Sequence, residues 1–191
     1  MKTTAERTPA PRTAGSAGPG SPLTRGVATA IGGFERLPNT LIAVIARFSI
    51  AAVFWNSGQT KVQGFVFNLV SGDVEWGWPR LSESALALFQ DEYKLPFMPP
   101  ELAAPLAATA EHVLPLLILI GLGTRFAALA LLGMTLVIQL FVYPGAYATH
   151  GTWAAVLLYL MARGPGMLSV DHWLASRRPR PGCPALHSPP R

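Results

Sequence analysis

The chain has 191 residues, and its charged fraction of 13% is about half of that in a soluble globular domain, which excludes an ordinary water-soluble protein. The net charge of +5 does not indicate nucleic-acid binding, because the basic residues are scattered over the tails and helix ends instead of forming one patch. A single cysteine, Cys183, excludes an internal disulfide and a dithiol exchange mechanism.

The composition of residues 1–36 predicts a disordered tail, because Pro, Gly, Ala, Ser and Thr dominate and leave too little apolar surface for this segment to fold. A hydrocarbon core needs about 20 helical residues to cross it. The apolar blocks that fit this length predict helices at 40–59, 101–121, 125–143 and 147–163.

The connection 60–100 is polar, but Leu81, Ala85, Leu88 and Phe89 share one helical face. This pattern predicts a short amphipathic helix lying on the membrane. The predicted fold class is therefore all-α: a membrane four-helix bundle at residues 37–175, with disordered tails at 1–36 and 176–191.

The distribution of Lys and Arg predicts the orientation. Eleven basic residues lie in the two tails, at the end of the fourth helix and in the turn at 121–125, whereas three lie in the 60–100 connection. Because cytoplasmic segments carry the excess of basic residues, both termini are expected in the cytoplasm of a multi-pass protein. The lipid membrane is then its first partner.

Two opposite charges lie inside the predicted helices. Arg47 and Glu111 fall near the middle of two antiparallel spans, at a rise of about 1.5 Å per residue. An isolated charge at that depth costs at least about 2.5–3.5 kcal/mol, so we expect Arg47 and Glu111 to pair. Pro115 removes the amide that would bond the Glu111 carbonyl and should kink the helix there.

Other polar side chains extend this predicted lining. His112 points about 100° away from Glu111, and Gln139, Asn56, Gln59 and Lys61 lie toward the ends of the first and third spans. The pair has two open interpretations, a structural clamp between helices and a functional site. The sequence shows no cluster of Cys, His and carboxylates for a metal.

Three segments resemble the DoxX family. They are "ARFSIAAVFWNSGQTKVQGF", "AEHVLPLLILIGLGTRFAALALLGMTLVIQ" and "THGTWAAVLLYLMARGPGMLSVDHWL", which together cover about residues 40–174. The family motif falls on Arg47, Ser57, Gly58, Lys61, Glu111, Arg125, Gly164, Gly166 and Asp171. The resemblance implies a four-helix protein of the bacterial inner membrane.

The resemblance implies two classes of function. The family name comes from similarity to a subunit of a thiosulfate:quinone oxidoreductase, which implies a quinone cofactor and a respiratory or redox partner. Under this hypothesis the candidate catalytic residues are Glu111, Arg47 and His112, and the candidate cofactor contacts are Lys61 and Gln139. Whether the chain is itself an enzyme stays open.

The alternative is a non-catalytic anchor or assembly partner for a periplasmic or metal-stress system, since other relatives occur beside peptide-modifying iron enzymes. The exposed segment "GDVEWGWPR" favours this alternative. A transporter is a more distant third, because four spans without an inverted repeat leave little scope for alternating access in a monomer.

Overall fold

The structure is a computed structural model that describes residues 26, 32–33, 37–67 and 72–177. The chain divides into a unit at residues 1–37 and a unit at residues 38–191. The first is described only at residues 26, 32, 33 and 37, and everything below concerns the second. The two predicted tails therefore lie almost wholly outside the described residues.

Helices dominate the described part of the chain. They are α1 Asn39–Gln59, α2 Glu83–Leu88, α3 Pro100–Ile120, α4 Thr124–Val137, α5 Tyr147–Arg163 and α6 Val170–Ser176. Two π-helical segments, Phe89–Tyr93 and Ile138–Val142, directly continue α2 and α4. The four long predicted helices are confirmed to within one residue at each end when Ile138–Val142 is counted with α4. The short helix predicted in the 60–100 connection is present from Glu83 onward, and its position on the membrane stays a prediction.

Three helices within the described residues are long and apolar enough to cross a membrane: Asn39–Gln59, Pro100–Ile120 and Thr124–Val142. The 17-residue helix α5 is not among them. Large apolar side chains point away from the helical core, including Phe126 at 80% exposed and Ile45 at 57%. An outer surface of this kind requires lipid around the helices.

Helices α1, α3, α4 and α5 pack around one apolar core. Its buried members are Ile50, Phe54, Ile118, Ala127, Ala128, Leu131, Leu157 and Leu160. Because the chain reverses direction between successive long helices, the connections gather at two ends. We call the end with residues 60–67, 72–99 and 143–146 the loop end, and the end with 121–123 and 164–169 the turn end.

The loop end contains short strands that the all-α prediction did not include. Strand β1 (Val62–Gln63) pairs antiparallel with β4 (Arg80–Leu81), and β2 (Val66–Phe67) pairs antiparallel with β3 (Val74–Glu75). The prediction is wrong here because a two-residue strand is too short to show an alternating pattern.

The 60–100 connection is tied to the helical core by its own helix. The Ser82 hydroxyl accepts a hydrogen bond from the Ala85 amide at 3.1 Å and so caps α2. At its far end Phe89 is buried against Ala103 and Ala104 of α3. The part of the connection that contains α2 and Phe89 is therefore packed onto the start of α3.

The turn end is held by backbone caps. Gly121 ends α3 with a left-handed φ of 75°, and the Leu122 amide donates to the Leu117 carbonyl at 2.9 Å, as expected for a glycine C-cap. The Asp171 carboxylate then accepts the amides of Gly123 and Thr124 at 2.8 and 3.0 Å. Asp171, a predicted family motif position, thus caps the start of α4 from the start of α6.

Candidate functional site

A partly open cavity of about 430 Å³ lies between the helices toward the loop end. Side chains of α1, α3, α4 and α5 form its wall together with residues of the segment 89–98. Most of them are aliphatic or aromatic; the polar ones are Ser57, Lys61, Tyr93, Glu111, Tyr143 and His150. The volume is in the range of small-molecule sites, which are mostly apolar with a few placed polar groups.

A buried ion pair forms one pole of the cavity. Lys61 Nζ lies 2.7 Å from Glu111 Oε2, and the two residues are only 5% and 3% exposed. Lys61 Nζ also donates to the Ser57 carbonyl at 3.2 Å and to Ser57 Oγ at 3.1 Å. Ser57 Oγ in turn donates to Glu111 Oε1 at 3.2 Å. We call Ser57, Lys61 and Glu111 the carboxylate pole.

All three ammonium hydrogens of Lys61 have acceptors, so the charge on this side chain is fully compensated. Glu111 accepts two hydrogen bonds, one on each oxygen, whereas a carboxylate has about four acceptor positions. The carboxylate pole therefore retains unused acceptors facing an apolar cavity.

The structure corrects the expected pairing of Arg47 with Glu111. Arg47 Nε donates to the Ile118 carbonyl at 2.8 Å and Nη2 donates to the Leu119 carbonyl. Its Nη1 donates to the carbonyls of Pro165 and Leu168 at 3.1 and 2.6 Å. Arg47 thus binds carbonyls at the turn end, about two helical turns along α3 from Glu111.

The physical reason is the direction in which helical side chains lean. They point toward the N-terminus of their own helix. Helix α1 starts at the turn end and α3 starts at the loop end, so Arg47 and Glu111 lean in opposite directions. Equal depth of the two Cα atoms therefore does not bring the two charges together.

His112 lies beside the carboxylate pole but is absent from the cavity wall. Its Nδ1 is 2.7 Å from the Ala108 carbonyl, which requires a proton on Nδ1, and its Nε2 is 2.9 Å from Gln59 Nε2. The ring also meets Trp55 edge-on at 5.0 Å. Both ring nitrogens are therefore used within the protein.

Gly58 allows α1 and α3 to approach closely at this point. A Cβ built on Gly58 would lie 2.8 Å from His112 Cε1 and 3.1 Å from Glu111 Cβ. Such distances force the neighbouring side chains to move, so the missing side chain is a packing requirement for the carboxylate pole.

We therefore expect Gly58→Ala to lower the free energy of unfolding by about 1–3 kcal/mol, although alanine is the better helix former. The matched control is Gly133→Ala in α4, where a Cβ meets nothing within 4 Å and stability should rise by about 0.5–1 kcal/mol. Thermal unfolding in detergent compares the two variants. Equal stabilisation by both would contradict the close approach at Gly58.

Gln139 lies behind the cavity wall and contacts a residue that lines it. Its Nε2 donates to the Pro144 carbonyl at 2.6 Å, and its Oε1 lies 2.7 Å from Nδ1 of His150. His150 is the fourth residue of α5, is 5% exposed and packs against Trp153 at 5.1 Å between ring centroids. We call His150 the histidine pole of the cavity.

Two tyrosines, Tyr93 and Tyr143, line the cavity outside the three helices that could span a membrane. Tyr143 donates to Glu92 Oε1 at 2.5 Å, and this hydrogen bond raises the pKa of Tyr143. Burial raises the pKa of Tyr93, whose ring meets that of Tyr143 edge-on at 5.8 Å between ring centroids. Both phenols therefore stay protonated at neutral pH.

The described residues contain no group of three or more His, Cys, Asp and Glu side chains that could hold a metal ion. The candidate site is therefore built from the ion pair, the histidine, the tyrosines and apolar wall residues.

The DoxX family model matches residues 42–144, which is more than half of the chain. The chain belongs to the DoxX family. It is a membrane protein with several helices suited to spanning a bilayer. The match includes the carboxylate pole and Gln139, whereas α5 with His150 lies beyond it. No curated protein and no solved structure matches the chain.

Of the predicted site residues, the structure places Glu111 and Lys61 together in the cavity wall, Gln139 behind it, and Arg47 and His112 outside it. The sequence interpretation missed His150 and Tyr93 as wall residues. A signal for His150 was present, because Gln139 and His150 flank the Pro-Gly turn at 144–145 and can meet across it.

Proposed function

We propose that this DoxX protein is a membrane subunit that binds the head group of a quinone in the cavity, and that a redox or respiratory partner complex exchanges electrons with it. The observation that carries the proposal is the buried Lys61–Glu111 ion pair in the wall of a mostly apolar cavity. A lipid-soluble ring with polar substituents matches such a site, since the wall packs on the ring and the polar groups orient it.

Within this proposal each polar group has a role. Glu111 is the residue that exchanges protons with the head group, because it combines a titratable carboxylate with unused acceptor positions. Lys61 and Ser57 hold that carboxylate in place. Gln139 does not contact the head group itself but orients the ring of His150 by a hydrogen bond. The proposal gives Arg47 and His112 structural roles, since their donors and acceptors are used elsewhere.

The proposal requires a partner protein that supplies electrons to the head group or accepts them from it. The chain has one cysteine and shows no redox cofactor motif, so this subunit would bind and protonate or deprotonate the head group while another protein supplies or accepts electrons. The quinone pool of the bacterial inner membrane, the location that the family resemblance favours, is the corresponding source of ligand.

We also propose that α5 is a fourth span and that both termini are cytoplasmic. Helix α5 has 17 residues and is about 26 Å long, which is near the lower limit for a span. The basic residues support the orientation, with the turn end inside. Reporter fusions in the 80s and after residue 176 should read outside and inside respectively; an external carboxyl terminus would contradict four spans.

Quinone binding can be tested with a substitution that fills the cavity. Ala110 lines it, and Ala155 is exposed on α5 away from it. We expect Ala110→Leu to weaken binding of short-chain quinone analogues to the purified protein at least about tenfold, because added side-chain volume occupies the ligand space. Stability should stay equal or rise slightly, as is common when a cavity is filled.

Ala155→Leu adds the same atoms outside the cavity and is the matched control, with unchanged affinity expected. Binding is measured by titration followed through tryptophan fluorescence, since Trp153 lines the cavity. No saturable binding to the wild-type protein, or equal binding by both variants, would contradict the proposal.

A second candidate function, an anchor or assembly partner for another protein, is favoured by the exposed aromatic residues of the loop end. Trp76 and Trp78 are 78% and 88% exposed, and aromatic residues are enriched at protein interfaces. A stable partner lost on Trp78→Ala, together with no quinone binding, would favour the anchor.

A further inference from the structure

The histidine pole has a defined hydrogen-bonding state. Gln139 donates its amide to the Pro144 carbonyl, so its Oε1 faces His150 as an acceptor. Nδ1 of His150 must therefore carry a hydrogen. In the neutral ring Nε2 then has no hydrogen and is an acceptor.

This second nitrogen is free within the protein. Nε2 of His150 makes no hydrogen bond to any residue that the structure describes, although His150 is buried in the cavity wall. Nε2 is not among the fully enclosed atoms of the described residues that lack a partner, so it keeps access to the space that His150 lines. An unpaired acceptor at the wall of a mostly apolar cavity is the kind of polar group that orients a ligand.

The carboxylate pole offers groups of the same kind. The three hydrogens on Lys61 Nζ and the hydroxyl hydrogen of Ser57 are already donated within the pole. What Glu111 has left are acceptor positions on its two oxygens. At both poles, therefore, the free positions accept hydrogen bonds, and a matching ligand must donate them.

From these two poles we infer that the cavity selects the reduced, dihydroxy form of an aromatic head group, with one hydroxyl donating to Glu111 and the other to Nε2 of His150. This inference rests on the proposed function and specifies its substrate class. A hydroquinone has two hydroxyl donors, whereas the oxidised quinone has carbonyl acceptors that would face Glu111 and His150 lone pairs. His150 is then a specificity-determining contact.

The test compares the two oxidation states of one short-chain analogue, titrated anaerobically into the purified protein. We expect the hydroquinone to bind about tenfold or more tightly than the quinone, because a site built for hydrogen bonds rejects an analogue that cannot make them. The monomethyl ether of the hydroquinone, which has lost one donor, should bind with intermediate affinity.

His150→Asn distinguishes a role of His150 in ligand binding from a role in holding the structure together. The asparagine amide replaces Nδ1–H and still donates to Gln139, but the atom that corresponds to Nε2 is gone. We expect unchanged thermal stability, about tenfold weaker hydroquinone binding and little change for the quinone. His112→Asn makes the same substitution at a ring outside the cavity and should keep the wild-type ratio of the two affinities.

Three results would overturn the inference. The first is equal or tighter binding of the quinone by the wild-type protein, and the second is an equal loss of both ligands in His150→Asn, which would indicate packing alone. The third is a loss of preference in His112→Asn equal to that in His150→Asn. If the wild-type protein binds neither form, the proposed quinone function fails and the inference fails with it.

Discussion

Arg47→Met is expected to lower the free energy of unfolding by about 3–5 kcal/mol. The guanidinium donates to four backbone carbonyls, two at the end of α3 and two in the turn at 165–168. The last carbonyls of a helix have no partner within it. In this variant the Leu119 carbonyl would lose the charged donor that now binds it, and the Ile118 carbonyl would keep only the Gly121 amide at 3.1 Å. The variant should unfold at lower temperature or lower SDS concentration.

Two variants sharpen this prediction. Arg47→Lys keeps the charge but has one nitrogen in place of the planar fork, so it should recover only part of the loss. Arg125→Met removes an exposed arginine at the same end of the bundle and should change stability by no more than about 0.5 kcal/mol. Similar stabilities for Arg47→Met and Arg125→Met would contradict the bracing role of Arg47.

The carboxylate pole predicts a second large effect. Lys61→Met leaves Glu111 buried without its cation, and Glu111→Leu leaves Lys61 buried without its anion. Each single change should cost about 3–5 kcal/mol, because an uncompensated buried charge remains. The double variant should be much less destabilised than the sum of the singles, since apolar side chains of similar volume replace a buried ion pair at little cost.

A double-mutant cycle on unfolding in detergent measures this coupling. The pair of Arg47→Met and Glu111→Leu is the matched comparison, because Arg47 binds carbonyls at the turn end and shares no partner with Glu111, so their effects should add. Additive effects for Lys61 and Glu111, or strong coupling between Arg47 and Glu111, would contradict the contacts seen here.

The helices could be predicted from the sequence because lipid leaves few alternatives. An apolar block of about 20 residues must satisfy its backbone within a helix, and residues such as Pro100 and Gly121 mark where α3 begins and ends. The strands around Gln63 and Phe67 could not be predicted, because two paired residues carry no periodic pattern.

The site could be predicted only in part. A carboxylate at the depth of Glu111 indicates that a cation must be near, and this much was correct. The choice between Arg47 and Lys61 depends on which way each side chain leans and on how the chain folds back after α1. The depth of a Cα atom along a predicted helix gives neither the direction of its side chain nor the path of the chain after the helix. His150 was missed because its importance comes from a contact with Gln139 on another helix.

Photolabelling with an azido-quinone, followed by mass mapping of the labelled peptides, tests the central claim most directly. The account predicts adducts on cavity-wall residues such as Ala110, Met134 and Trp153, with labelling suppressed by excess unlabelled quinone and by Ala110→Leu. A second apolar groove on the outside of α1 and α3, lined by Phe48, Leu116 and Leu119 among others, provides the internal comparison. Adducts confined to that groove, or labelling that Ala110→Leu does not change, would contradict a quinone site between the carboxylate and histidine poles.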